Sequence, residues 1–286
     1  MFGKLVKHEF RATRRVIPFV FLLTVFLVLM MTVSVVLDLD TMVGLTLVLL
    51  IITMFAEVII TYVLVVWRFY KSMCGNEAYL SFTLPIKPQL LLWSKLLVSF
   101  VWVALSYLVF AGSIMMAVVI IAKGTGTSIQ DIFEQIKIFL NMIGFGGHET
   151  AAIATIIGLF TLAILSGLTQ IFFSVSLGST SKLHKFGVGG PILVYVILYF
   201  ALQFVTVIAM SVIPLAIEMD VAESGALSYR IVSRNMVQWF LEAIRNSEAG
   251  SNEGLIGLGS FLVIPLIIAA LLFATSRIAD KHTSVR

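Results

Sequence analysis

The segment RFYKSMCGNEAYLSFTLPIKPQLLLWSK, from Arg68 to Lys95, lies between two hydrophobic stretches that are each long enough to cross a bilayer. Its basic residues are typical of a cytoplasmic loop. A mildly apolar run at 78–84 ends at Pro85, which cannot continue a helix without the loss of a backbone hydrogen bond. The pattern predicts a short helix under the membrane, a sharp turn and a new membrane helix that begins near Gln89.

The composition of the whole chain is that of a polytopic membrane protein. Of its 286 residues, 60% are hydrophobic and only 12% are charged, which is about half the charged fraction of an average soluble domain. The net charge of +4 does not indicate nucleic-acid binding, because the basic residues lie in short loops beside membrane segments. The single cysteine, Cys74, excludes an intrachain disulfide and a multi-cysteine metal site.

Recurrent hydrophobic runs predict an all-α membrane protein with six transmembrane helices in one domain, 1–286. If both termini lie inside the cell, most of the 19 lysine and arginine residues fall in cytoplasmic segments, as the positive-inside rule requires. This topology leaves 68–95 as an inner loop and 218–254 as the largest outer loop. The predicted spans are 16–37, 43–67, 96–122, 151–177, 188–217 and 255–274.

Three further segments have amphipathic patterns. Residues 1–15 contain five basic residues and one acidic residue beside an apolar face, which predicts a helix on an anionic inner leaflet. In the outer loop at 123–150, isoleucines and a phenylalanine share one helical face. The pattern from Tyr229 to Ala243 predicts a second interfacial helix, or one that dips into the membrane from outside.

One carboxyl group, Glu57, falls near the middle of a predicted span. An ionisable group at this depth is energetically costly and usually faces the bundle interior or a wet cavity. Its candidate roles are a proton relay, a contact for a cationic substrate or a latch to a partner helix; the alternative is a protonated, hydrogen-bonded residue that serves packing alone. Four other polar residues share its helical face: Thr46, Thr53, Thr61 and Arg68.

Other polar residues in the predicted spans carry weaker indications. Ser99, Ser106 and Ser113 repeat every seven residues on the third span, which predicts close helix packing. Gln170 and Gln203, with Thr206, are further polar candidates without an assigned partner. No P-loop, zincin motif or catalytic Ser/His/Asp set occurs in the sequence, so neither a catalytic site nor a metal site is predicted in this chain.

The segment 68–97 resembles one family. The motifs RFYK at 68–71, NEAYLSFTLP at 76–85 and LLLWSKLL at 90–97 are similar to the region between the second and third membrane helices of ABC-2-type permease subunits of bacterial ABC exporters. Elsewhere the chain matches that family only in layout. The resemblance implies a type V exporter-like architecture in the bacterial cytoplasmic membrane, with an N-terminal connecting helix and a cytoplasmic coupling helix.

The resemblance also implies partners and a site. A separate ABC ATPase subunit would bind ATP and Mg, so no cofactor is expected in this chain. The other expected partners are a second permease copy or paralogue and membrane lipids. The substrate would be an amphiphile such as a peptide antibiotic, a drug or a lipid-like molecule. Six residues would form the contact of the coupling helix with the ATPase: Glu77, Tyr79, Leu80, Phe82, Leu84 and Pro85.

Two functions of other classes remain open on the sequence. One is a stand-alone ion-coupled carrier that uses Glu57 as its proton site, although the inverted repeats and interrupted helices of many carriers are not visible. The other is a membrane anchor or sensor without transport. A neighbouring reading frame for an ABC ATPase favours the permease, and its absence favours the carrier.

The topology predicts which loops are accessible on whole cells. In a Cys74→Ala background, single cysteines at Ser224 and Ser251 should react with a membrane-impermeant maleimide, because both lie in the predicted outer loop. A cysteine at Ser284 should not react, since the carboxyl terminus is expected inside. Labelling at Ser284 alone would reverse the orientation.

Overall fold

The computed structural model describes residues 2–73, 75, 88–124, 126, 128–142, 149–180, 186–221, 227–245 and 254–281. The helices are α1 (Phe2–Thr13), α2 (Ile17–Val36), α3 (Asp40–Met73), α4 (Pro88–Gly124), α5 (Ile129–Met142), α6 (Glu149–Gly178), α7 (Gly189–Val212), α8 (Met236–Arg245) and α9 (Gly259–Lys281). The strands are β1 (Ala216–Val221), β2 (Leu227–Val232) and β3 (Gly254–Gly257).

Six of these helices, α2, α3, α4, α6, α7 and α9, are long and apolar enough to cross a bilayer. Large apolar side chains cover their outer surfaces, as expected for helices that face lipid. In lipid, the backbone hydrogen bonds can be made only within the helix itself. The chain is therefore a helical multi-pass membrane protein. The end of the bundle that carries α1 is called the α1 side, and the end that carries the strands is called the sheet side.

Helices α3 and α4 are longer than the bilayer requires. They contain 34 and 37 residues, which correspond to about 51 and 55 Å at 1.5 Å per residue, against a hydrocarbon core of about 30 Å. Both therefore extend beyond the bilayer. On the α1 side, α3 continues through 68–73, which the charge pattern had predicted to be part of a loop, whereas α4 begins at Pro88, next to the predicted start near Gln89.

The core of the bundle lies mainly on the α1 side. There, α2, α3, α4, α6 and α9 contribute to one buried cluster, in which the rings of Phe69 and Phe172 stack with centroids 3.9 Å apart. A smaller cluster toward the sheet side includes Met31, Leu50 and Ile120 and comes from α2, α3 and α4. The stacked phenylalanines thus join α3 to α6 across the bundle.

A three-stranded antiparallel sheet, in the order β2–β1–β3, corrects the prediction of a helix from Tyr229 onward. The segment 227–232 is a strand, in keeping with its alternation of apolar and polar residues, which has a period of two. Helix α8 begins only at Met236, where the side-chain oxygen of Asn235 accepts a hydrogen bond of 2.7 Å from the backbone N–H of Gln238. The helical pattern is thus correct only for 236–245.

Glycine permits the closest helix contact on the α1 side. A Cβ atom on Gly178, at the end of α6, would collide with backbone atoms of Gly190 and Pro191 at the start of α7. Because backbone atoms at a helix start cannot rotate away as a flexible side chain can, this contact fixes the angle at which α6 and α7 approach each other.

Gly178→Ala should therefore destabilise the protein, by about 1–3 kcal/mol if the cost is that of ordinary overpacking. Gly158→Ala, on the same helix, is the matched control, because a Cβ atom there meets nothing within 4 Å. Thermal unfolding in detergent, followed by size-exclusion fluorescence, should show a lower midpoint for Gly178→Ala and an equal or higher one for Gly158→Ala. Equal midpoints for the two variants would contradict the contact.

Candidate functional site: an ionic cluster joining three helices

Helix α1 packs against the bundle through an acidic residue. Leu5, Glu9 and Thr13 are spaced by four residues and therefore lie along one line of the helix. Glu9 is buried, whereas most of the basic residues of α1 are exposed. The amphipathic pattern predicted a helix on an anionic leaflet; the structure shows that its inner face packs against α4 and that the cations are exposed.

The carboxylate of Glu9 binds cations from two membrane helices. Its Oε1 atom forms an ion pair with Nζ of Lys95 on α4. Its Oε2 atom accepts a hydrogen bond of 3.4 Å from Nε of Arg68 on α3. The side chain of Lys95 is only 4% exposed, and that of Arg68 is 25% exposed. We call these three residues the ionic cluster; it joins α1, α3 and α4 through one carboxylate.

An indole ring completes the attachment of α1. Nε1 of Trp102 on α4 donates a hydrogen bond of 2.7 Å to Oγ1 of Thr13. The same indole stacks on the ring of Phe10, with centroids 4.8 Å apart and an interplanar angle of 14°. Buried aromatic rings with a satisfied polar atom are strong contacts, so Trp102 holds the end of α1 while the ionic cluster holds its middle.

A small polar cavity adjoins the ionic cluster. Its volume is about 10 Å³, which is room for about one water molecule. Its walls include the three charged residues of the cluster together with Ser72 and Ser99. The cavity is too small for a substrate, so the cluster is a structural junction between helices and not a ligand pocket.

The ionic cluster stabilises the contact between the three helices only while its opposite charges remain paired. Two opposite charges taken out of water recover their desolvation cost only if they remain paired, and removal of one partner of a buried pair costs about 3–5 kcal/mol. Arg68 and Lys95 are the first and last residues of the polar segment 68–95. The cluster therefore fixes both ends of that segment to α1.

The polar stripe predicted on α3 separates into two sites. Arg68 lies eleven residues after Glu57 on α3 and contacts Glu9 in the ionic cluster. Glu57 is fully buried, and its Oε2 atom accepts a hydrogen bond of 2.5 Å from Oγ1 of Thr24 on α2. Its Oε1 atom has no hydrogen-bond partner among the described residues. Glu57 thus links α3 to α2 and not to Arg68.

The threonines of the stripe bond within their own helix. Thr46 and Thr61 are buried, and their hydroxyl groups donate hydrogen bonds to the carbonyl groups of Met42 and Glu57. Thr53 is only partly buried and donates in the same way to the carbonyl of Leu49 at 2.8 Å. These bonds satisfy the hydroxyl groups locally, so the threonines add little polarity around Glu57.

Other predicted residues have varied positions. Ser99, Ser106 and Ser113 are buried on α4, where small side chains permit close packing. Gln170, Gln203 and Thr206 come together around one cleft between α6, α7 and α9. The residues expected to contact an ATPase lie outside the described residues: Glu77, Tyr79, Leu80, Phe82, Leu84 and Pro85.

Sequence reasoning missed Glu9 and Lys95 as a pair. A usable signal was present, because Glu9 is the one acidic residue in a strongly basic amphipathic segment. Lys95 likewise lies within an apolar helical run between Leu92 and Leu96. A lone acid among cations and a lone cation among leucines each need a partner of opposite charge. Glu9 and Lys95 bind each other, but they are 86 residues apart, so no local pattern shows the pair.

Comparison of the chain with protein-family models, with curated proteins and with solved structures gives no match. Among the described residues, no group of three or more His, Cys, Asp and Glu side chains could hold a metal ion.

A double-mutant cycle tests whether the ionic cluster acts as a unit. Lys95→Met and Glu9→Gln should each destabilise the protein by up to about 3 kcal/mol, because each removes the buried pair between Glu9 and Lys95. The double variant should cost clearly less than the sum, since either single substitution already breaks the pair between Glu9 and Lys95. Thermal unfolding in detergent measures all three.

The control is Lys123→Met, at the exposed other end of α4, which should change stability by less than about 0.5 kcal/mol. Additive losses for Lys95→Met and Glu9→Gln would contradict the coupling of the two residues.

Proposed function

We propose that this chain is the permease subunit of an ABC-2-type exporter in the bacterial cytoplasmic membrane. A separate ATPase subunit supplies the energy by ATP hydrolysis, and two permease chains form the path for an amphiphilic substrate. The chain itself catalyses no reaction; its role is mechanical. The α1 side is the cytoplasmic side in this proposal, and the sheet side faces outward.

The ionic cluster is the observation that carries the proposal. The ATPase would press on the coupling segment at 77–85, and the segment between α3 and α4 has its two ends on those helices. Arg68 and Lys95, one on each helix, bind the same carboxylate. A force on the segment would consequently move α1, α3 and α4 together, as rigid-body transitions of packed helices require.

The length of α3 and α4 supports the same role. Both helices are longer than the hydrocarbon core requires, and their α1-side ends, at Met73 and Pro88, carry the segment that a soluble subunit would bind in this proposal. The stacked rings of Phe69 and Phe172 then connect the movement of α3 to α6. The resemblance of 68–97 to the coupling region of ABC-2-type permeases supplies the identity of the partner.

Co-purification with an ABC ATPase encoded beside this chain tests the proposal. Glu77→Lys and Phe82→Ala should leave the permease inserted and stable but weaken its binding to the ATPase; loss of a buried aromatic anchor of about 2 kcal/mol corresponds to about 30-fold in Kd. ATP hydrolysis stimulated by substrate should fall with it. The matched controls are Glu134→Lys and Phe133→Ala, which repeat the substitutions at exposed positions on α5.

Two results of the co-purification experiment would contradict the proposal. An ATPase that does not co-purify with the unaltered chain, or that binds the Glu77→Lys and Phe82→Ala variants as tightly as the controls, would remove the assignment of a coupling helix. A helix that merely rests on anionic lipid tolerates Glu77→Lys, because a new cation there is favourable.

One observation favours a second candidate, an ion-coupled carrier. Glu57 is completely buried among membrane helices, and one of its oxygen atoms has no hydrogen-bond partner among the described residues. Intramembrane carboxyl groups of this kind serve as proton sites in transporters. Against a proton path, Glu57 lines neither the cavity beside the ionic cluster nor the cleft between α6, α7 and α9.

Substitution of Glu57 separates the two candidates. Glu57→Gln keeps the hydrogen bond with Thr24 and, under the permease proposal, should preserve both assembly and transport. Glu57→Leu removes the bond between α2 and α3 and should impair assembly or transport. Transport is measured in vesicles that contain the purified chain with and without its ATPase, and assembly is measured by size-exclusion profiles. Loss of transport in Glu57→Gln with intact assembly would favour the carrier.

A further inference from the structure

A polar cleft lies between three membrane-spanning helices. Its volume is about 380 Å³, within the range of small-molecule sites, and it is formed by α6, α7 and α9. Its wall combines apolar side chains with six that carry hydroxyl or amide groups: Ser166, Gln170, Tyr199, Gln203, Thr206 and Ser260. A side wall of this polarity is unusual in helices that otherwise present leucine, isoleucine, valine and phenylalanine to lipid.

The depth of the cleft makes its polarity expensive. Gln203 lies nine residues before the end of α7 at Val212, which is about 14 Å along the helix. Gln170 lies eight residues before the opposite end of α6 at Gly178. Both amides are therefore well inside the bilayer, where a polar group without a partner is costly.

The hydrogen bonds of the cleft are only partly satisfied by the protein. Nε2 of Gln170 donates a hydrogen bond of 3.0 Å to Oγ of Ser166. Oγ1 of Thr206 donates one of 2.9 Å to the backbone carbonyl of Gln203. The side-chain amide of Gln203, with two N–H donors and one oxygen acceptor, makes no hydrogen bond to any described residue. An occupant with hydroxyl or amide groups would satisfy it.

The charge and shape of the cleft define that occupant further. No acidic or basic residue lines it among the described residues, so the polar part of the occupant is uncharged. Tyr199 and Gln203 in the wall of the cleft are exposed, and the adjoining surface of α7 carries the exposed rings of Phe200 and Phe204. An acyl or other apolar chain can lie on these rings while the polar head reaches the amides.

We propose that this cleft binds an uncharged amphiphile whose hydroxyl or amide head group hydrogen bonds to Gln170, Gln203 and Thr206. As a binding site, the cleft stands on its own geometry. As the entry site for the exported molecule, it rests on the proposed permease function and narrows the substrate class to neutral, hydrogen-bonding amphiphiles that enter from the lipid.

Photolabelling of the full chain in phosphatidylcholine nanodiscs tests the site without any ATPase. The probe is a monoacylglycerol with a diazirine in its acyl chain, and the matched control probe is the same molecule with a phosphate on the glycerol. We expect the neutral probe to label α6, α7 or α9 several-fold more than the anionic one. Unlabelled monoacylglycerol should compete with this labelling.

The variants test the named contacts. Gln203→Leu should reduce labelling by the neutral probe about fivefold, the effect of one lost hydrogen bond of about 1 kcal/mol. Thr206→Val, which keeps the side-chain shape, is a second and milder variant. The controls are Val205→Leu and Ser211→Ala on the same helix, which alter an exposed apolar side chain and a hydroxyl group outside the cleft.

Three results would overturn the site: equal labelling by the two probes, unchanged labelling in both Gln203→Leu and Thr206→Val, or disulfide formation between chains through cysteines placed at Gln203. The first two would mean that bulk lipid fills the cleft, and the third that a second copy does. Because no ATPase takes part, any of these leaves the permease proposal standing. Labelling as expected in a chain that binds no ATPase would keep the site and remove the permease.

Discussion

The attachment of α1 to the bundle depends on one carboxylate, that of Glu9. A carboxylate on an amphipathic helix beside a membrane would normally point to water, and its burial here is possible only because Lys95 and Arg68 neutralise it. The constraint is mutual, since Lys95 is itself buried within α4 and has no aqueous surroundings of its own. Assembly of α1, α3 and α4 therefore pairs the Glu9 carboxylate with a cation from each of the two membrane helices.

The spans themselves could be predicted from composition, because a bilayer admits only segments that satisfy their own backbone hydrogen bonds. Runs of apolar residues, interrupted at Asp38 and Asp40 and at the polar segment after Arg68, mark six helices in the sequence, and the structure has six among its described residues that can span. Their ends could not be predicted in the same way. Residues 68–73 continue α3 because nothing in the chain ends a helix before Gly75, whereas the prediction stopped at the last apolar residue.

The parts that sequence reasoning missed are those that depend on distant partners. Glu9 and Lys95 are 86 positions apart, so no local pattern identifies the pair. The antiparallel sheet is formed by short segments, and Ala216 in β1 pairs with Val232 on one side and Gly257 on the other. A helical pattern through Tyr229 was therefore as acceptable locally as a strand. The polar cleft was visible as three unassigned residues, Gln170, Gln203 and Thr206, but only the packing of α6, α7 and α9 brings them together.

Helix α6 gives the ionic cluster a physical route to the cleft. Phe172, which stacks on Phe69, and Gln170, which lines the cleft, are two residues apart and thus about 200° apart around the helix axis. One face of α6 is fixed to α3, the helix that carries Arg68, and the opposite face forms a wall of the cleft. Packed helices shift as rigid bodies between discrete arrangements. If an ATPase displaces the segment 68–95 as proposed, the movement of α3 would reach the cleft through the stacked rings, and the proposed amphiphile site would change in the same step.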